Sequence, residues 1–145
     1  MNIFNTLKIS ASGLSAERLR MDLIADNIAN AETTRTEKGE PYRRKMAIFT
    51  PRKSFEHILQ RELEAEGVKV QGIIEDKSPF RLVYNPSHPD AKTEGPQKGY
   101  VEMPNIDVVT EMVDMISATR AYEANVTALN AAKSMALKAL EIGRG

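Results

Sequence analysis

At the front of the chain Phe4, Leu7, Ala11, Leu14, Arg18, Met21, Ala25 and Ile28 follow one another in alternating three- and four-residue steps, and only Arg18 is not apolar. At the back Val108, Met112, Met115, Thr119, Tyr122, Val126, Leu129, Lys133, Ala136 and Leu140 repeat the pattern, broken by Thr119 and Lys133. With 41% hydrophobic residues overall, chance would fill roughly three or four positions of each set, so the spacing predicts a helix at either end. Proline agrees. All seven prolines lie between Pro41 and Pro104, and a residue that removes a backbone donor and clashes with the preceding turn is missing where the helices are expected. The front helix should stop near Asn30, a residue suited to a left-handed cap, before Thr33 to Thr36 favour extended chain. That makes ~27 residues, or about 40 Å. The back helix should open after Pro104 with Asn105 or Asp107 as N-cap, and run ~35 residues, about 50 Å, to Gly143. It outreaches the front helix by about two turns. Such an overhang offers a seam to a neighbouring subunit. In this register Asn125 and Lys138 face outward.

The middle has another texture. Six of the eight aromatics and every proline lie between Arg35 and Pro104. Strands are expected at residues 45–50, 67–75 (with a change of phase at Gly72) and 81–84, each closed by proline, glycine or polar turn residues. Between the first two, Phe55, Ile58, Leu59 and Leu63 recur at helical spacing after Ser54. Residues 85–90 and 94–99 carry loop chemistry. The expected fold is mainly α with a small β-containing middle module, its long terminal helices pairing as a coiled-coil-like hairpin. The expected domains are 1–34 (helix and cap), 35–104 (β-rich module with a short helix) and 105–145 (second helix).

Composition narrows the function by exclusion. Twenty basic and twenty acidic residues cancel, so no overall field draws in nucleic acid or anionic lipid. With no cysteine, disulfides and thiolate metal sites are out. The longest apolar run, Met46 to Phe49, is far short of the ~20 residues that span a bilayer, so no membrane insertion is expected. The polar-interrupted start Asn2-Ile3-Phe4-Asn5-Thr6 lacks the apolar core of a cleaved signal peptide. His57 and His88 fall in different elements with no carboxylate–histidine spacing, and no nucleophile motif or phosphate-binding glycine loop is present. The expectation is no enzyme, no catalytic residues, no metal and no cofactor. Arg43-Arg44-Lys45, flanked by Tyr42 and Phe49, is the one basic cluster. It suits a solvated strand edge or an acidic protein neighbour better than a phosphate backbone.

Arg18, Thr119 and Lys133 in the seams, and the methionines Met103, Met112, Met115 and Met135, suit an adaptable assembly interface better than a dry two-stranded coil. Asn27 and Asn30 read two ways: as the cap of a fraying helix end, or as amides that bond backbone across a helix bundle. The interface residues expected from these patterns are Leu7, Leu14, Met21, Asn27, Ile28, Asn30, Met112, Met115, Thr119, Tyr122, Val126, Leu129 and Leu140. A non-exported cytoplasmic coiled-coil adaptor or chaperone would show the same seams.

Ser12-Gly13-Leu14-Ser15-Ala16-Glu17-Arg18-Leu19-Arg20 through Asp26-Asn27-Ile28-Ala29-Asn30 resembles the N-terminal signature of flagellar axial proteins, the rod and hook group. Pro41-Tyr42-Arg43-Arg44-Lys45, Val83-Tyr84-Asn85-Pro86-Ser87-His88-Pro89-Asp90-Ala91, Pro104-Asn105-Ile106-Asp107 and Glu111 to Val126 extend the likeness over nearly the whole chain, toward the proximal rod. Residues 54–66 and the turn 94–100 fit that pattern less well. The resemblance implies a structural protein of the basal-body rod that stacks with copies of itself and with other rod proteins. It also implies departure from the cytoplasm through the flagellar type III export apparatus without a cleaved signal.

Overall fold

The computed structural model describes residues 3–52 and 67–143, with side chains from Asn5 onward. The helix expected around residues 55–63, and with it His57, lies outside the described residues. Helix α1 spans Ile3–Ala29 and helix α2 spans Val108–Ile142, 27 and 35 residues long. Between them come β1 (Lys45–Pro51), β2 (Val68–Glu75), β3 (Arg81–Tyr84) and β4 (Tyr100–Met103). They pair as two small sheets, β1 with β2 and β3 with β4. β4 was not legible in the sequence. It is four residues long between Gly99 and Pro104, and Val101 is its one buried side chain, too little for a period-two pattern to register.

The helix ends follow local chemistry. At the end of α1 the Asn30 amide donates to the Asp26 carbonyl at 2.9 Å and its oxygen accepts from the Thr33 hydroxyl at 3.2 Å. At the start of α2, Asp107 is the N-cap. Its carboxylate accepts from the Val109 backbone N–H (3.1 Å) and the Thr110 hydroxyl (2.7 Å).

The chain divides into two compact units. The first comprises the described residues of Met1–Met21, Ala47–Ile73 and Ile116–Gly145. Within it Gly13 lies against Asn125: a Cβ added there would meet the Asn125 amide at 3.1–3.3 Å. Further along, the Thr119 hydroxyl faces the Met21 sulfur at 3.6 Å. As one helix number rises the other falls, so the helices run antiparallel here. Ser12 fastens the base of β2 to α1. Its hydroxyl accepts from the Val68 N–H (3.0 Å) and donates to the Ile9 carbonyl (2.7 Å). Gly67, at φ 114°, passes so close to Ser12 that a Cβ would lie 2.3 Å from the hydroxyl oxygen.

The seam differs from the apolar pattern in a regular way. Leu7, Leu14, Met21, Met115, Tyr122, Leu129 and Ala136 are half-buried, as expected. Of the alternate positions, Ala11, Arg18, Ala25, Met112, Thr119, Lys133 and Leu140 are exposed, and Val126 is half-buried. Ser10, Ala118 and Ala132, each one residue ahead of an expected position, are buried instead, and Ala118 is wholly covered. Asn125 lies between these two alanines at spacings of seven, so it is not outward-facing as the register required. Small side chains at the contact let two backbones approach closely. The larger neighbours then turn away.

The second unit comprises Asp22–Met46 and Ile74–Met115. Its apolar centre is Ala31, Tyr42 and Ile106, with Val108 packed against it. β3 and β4 are antiparallel, with Leu82 opposite Glu102 and Tyr84 opposite Tyr100, whose rings meet edge-on at 5.2 Å. Gly99 (φ 82°) sits where a Cβ would meet the Tyr84 ring at 2.8 Å, so this hairpin base requires glycine.

Candidate functional site: a polar joint and an outward apolar helix face

Two features stand out for a chain with no catalytic motif. One is a buried polar joint in the second unit, and the other is the apolar surface that α2 leaves uncovered.

The joint is centred on Asn27. Its side-chain nitrogen donates to the Lys45 carbonyl (3.0 Å) and to Glu111 Oε2 (3.0 Å). Its oxygen accepts from the Lys45 N–H (2.9 Å) and the Tyr42 hydroxyl (3.3 Å). All four bonds available to an amide are made, and the residue is buried. Asn27 thus meets both backbone groups of Lys45 as a neighbouring strand would. Glu111, also buried, gives its other oxygen to the Arg44 guanidinium, which reaches on to Asp114 at 3.2 Å. The Arg44 backbone N–H donates to Asn105 Oδ1 (3.0 Å), and the Asn105 amide donates to the Asp76 carbonyl (3.2 Å). The end of α1, the start of α2 and the strap at residues 42–46 are therefore tied by one network. A half-satisfied network would be costly in such a place; this one is closed.

The electrostatics agree. Burial, then the negative charges of Asp26, Glu111 and Glu75, pushes the Tyr42 phenol above its usual value, so it remains a donor to Asn27. The Ser78 hydroxyl and backbone N–H, with smaller help from Arg44 and Arg43, hold the Asp76 carboxyl below the ordinary range. At Asp107 the Thr110 hydroxyl and the Val109 N–H act in the same direction.

The basic cluster spends its charges inside the chain. Arg43 stacks on the Phe80 ring at 4.1 Å, Arg44 is in the ion pairs above, and Lys45 lies over the Tyr42 ring at 5.3 Å. The acidic neighbour expected from the sequence is Glu111 with Asp114, in the same chain. Of the two readings of the asparagines, Asn30 is a cap. Asn27 does bond backbone across elements, but those of its own chain. Sequence reasoning missed Glu111 and Tyr42 as partners. The one available signal was Glu111 falling seven residues ahead of Ala118, which puts a carboxylate on the buried line. His88 is used locally, its Nδ1 accepting from the Asp90 N–H at 3.1 Å.

The second feature is the outer face of α2. Val109 (68% exposed), Met112 (52%) and Val113 (61%) share one side of its first turns, and Leu137 and Leu140 (68%) lie bare near its end. The buried side chains of this helix are Glu111, Ala118 and Ala132, while Val109, Met112, Val113, Ile116, Leu137 and Leu140 are exposed. These residues leave an apolar surface on the outer side of the helix. Of the expected interface residues, Met112, Thr119 and Leu140 lie on exposed surface. Leu7, Leu14, Met21, Ile28, Asn30, Met115, Tyr122, Val126 and Leu129 are half-buried, and Asn27 is covered. Among the described residues no helix is long and apolar enough to cross a membrane.

Residues 7–35 match the family described as flagella basal body rod protein, and residues 97–142 match the flagellar basal body rod FlgEFG protein C-terminal family. The chain is 48% identical to the flagellar basal-body rod protein FlgC of Borreliella burgdorferi, over all of both chains. It is 50% identical to FlgC of Bacillus subtilis and 42% identical to FlgC of Escherichia coli O157:H7, over 99% of this chain and 100% of each relative.

Proposed function

We propose, for a chain that belongs to the FlgC family of flagellar basal-body rod proteins and is thus a structural subunit of the bacterial basal-body rod, that it polymerises through its terminal helices to carry torque from motor to hook. The observation that carries this reading is the apolar outer face of α2, where Val109, Met112, Val113 and Leu140 are exposed while the small Ala118 and Ala132 are buried. A helix that leaves several large apolar side chains bare gains further stability when neighbours cover them. Its partners are other rod components and copies of itself. Met112, Thr119, Tyr122, Val126, Leu129 and Leu140 on α2, with Leu7, Leu14 and Met21 on α1, make up the contact surface.

The finer placement follows the family resemblance. The subunit belongs to the proximal rod and leaves the cytoplasm through the flagellar type III export apparatus without a cleaved signal. The organisation into residues 1–34, 35–104 and 105–145 is that of a chain whose ends are the two axial helices and whose middle is the β-containing module. The Asn27–Glu111–Arg44 joint suits torque transmission, because it ties both helices to the module by short, charge-assisted bonds. The test is fractionation. The chain should co-purify with hook–basal bodies through detergent and acid extraction, and a chain found only in the cytoplasmic fraction would make it an adaptor or chaperone instead.

A further inference from the structure

We infer that the second unit holds a binding site for a sugar bearing a carboxylate, in the concavity between the β3–β4 hairpin and the loop that follows β3. The geometry of this unit supports it independently of the rod reading. The concavity measures about 590 Å³, within the ~300–1,000 Å³ of small-molecule sites, and Tyr84, His88, Lys92, Thr93 and Lys98 line it. Tyr84 is its platform. The ring lies against Gly99, where a Cβ would come within 2.8 Å, and meets the Tyr100 ring edge-on at 5.2 Å. Held from two sides, Tyr84 is still 64% exposed. The electron-rich face of a fixed phenol attracts the weakly positive C–H groups of a sugar ring.

The polar groups select the charge. His88 Nδ1 accepts from the Asp90 N–H at 3.1 Å, so the neutral imidazole carries its proton on Nε2 and offers it as a donor. Lys98 is exposed, and the Lys92 ammonium is fixed by Gln97 at 2.7 Å and Glu102 at 2.6 Å. Among the described residues no carboxylate and no guanidinium lines the concavity. A wall of donors and cations takes an anion, and the missing arginine disfavours phosphate, which the guanidinium fork grips best. A peptide is disfavoured as well, because peptide grooves offer free main-chain groups. Here those groups are spent within the fold: the Asn85 N–H donates to Gly99, the Gly99 N–H to Lys92, the Lys92 N–H to Tyr100 and the Ala91 N–H to His88. A carboxylate carried on a ring that can stack satisfies what is left.

The test titrates the full chain, labelled with 15N, with digalacturonate and with the disaccharide of N-acetylglucosamine and N-acetylmuramic acid. Chitobiose (a ring without a carboxylate) and acetate (a carboxylate without a ring) are the controls. One or both acidic disaccharides should shift the amide signals of Tyr84, Lys98 and Gly99, and the stronger of the two separates a uronic acid from a wall-type amino sugar. Each control should bind about tenfold more weakly or worse. Lys98→Glu, and His88→Asn with an oxygen near the Nδ1 position, should each weaken binding about fivefold or more and leave the hairpin signals in place. Acetate binding as well as the disaccharides would reduce the site to a plain anion contact, and chitobiose binding as well would show that no carboxylate is read. Either result overturns the inference, as do silence with both acidic disaccharides and unchanged binding in both variants.

Discussion

Replacing Asn27 by alanine removes the centre of the joint. Four hydrogen bonds go together: two to the backbone of Lys45, one from Tyr42 and one to Glu111. A neutral bond contributes about 0.5–1.5 kcal/mol net, and one to a charged group about 1.5–3 kcal/mol. Lys45 and Arg44 are half-buried, so water reaches part of what is left unpaired. The Tyr42 bond is also long. Discounting for both, the loss comes to roughly 3 kcal/mol, a large share of the ~5–15 kcal/mol that keeps a domain folded. Asn30→Ala is the matched control, because it deletes two local bonds at a helix end and should cost about 1 kcal/mol or less. Urea unfolding of the isolated chain, followed by far-UV circular dichroism, compares the two. Amide exchange at Lys45 should accelerate in Asn27→Ala alone. If Asn27→Ala costs no more than Asn30→Ala, the joint does not hold the helix ends and the reasoning fails.

Gly67→Ala combines a positive φ with a Cβ 2.3 Å from Ser12 Oγ, so it should detach the base of β2, which faster amide exchange at Val68 would reveal. Val126→Asp sets a charge on a half-buried seam position, at a cost of about 2 kcal/mol or more, and should abolish motility; Lys138→Glu, on an exposed side chain, should leave swimming on soft agar intact. Tyr42 has a raised folded pKa, so the stability it lends is whole below its usual 10.0 and is lost as pH rises through the higher folded value; Tyr42→Phe should remove that alkaline loss in pH-dependent melting. Asp76 and Asp107 have lowered values, so their contribution is present above the usual 3.8 and fades as pH falls through the depressed folded pKa; Asp107→Asn should flatten the acid limb of the same curve.

Helix existence and length were legible because long stretches without proline carried a period that no strand could share. The caps at Asn30 and Asp107 were legible for a local reason: each acts on backbone within four residues. The seam was harder. A three–four spacing is compatible with two adjacent lines on a helix, and large apolar residues are the natural choice for the buried one. Here Ala118 and Ala132 took that line, because close approach of the helices favours small side chains, and Met112 and Leu140 were left outside. The joint was legible only in pieces, as the Asn27 amide and the basic cluster's acidic neighbour, and not as a network. Asn27, Arg44 and Glu111 are far apart in sequence, and although Asn27 could be read as an amide that bonds backbone across a bundle, nothing in the sequence pairs it with Glu111 or Arg44. Only the fold brings them together.

The central claim is that assembly covers the outer face of α2, and the amount of Val113→Asp chain in purified hook–basal bodies tests it most directly. Val113 is 61% exposed, so the substitution should shift the stability of the isolated chain by no more than about 0.5 kcal/mol. Within a packed rod the same carboxylate would be buried without a partner in every copy. The account predicts a chain made and folded normally yet missing from basal bodies, and Val113→Asp present there at wild-type levels would contradict it.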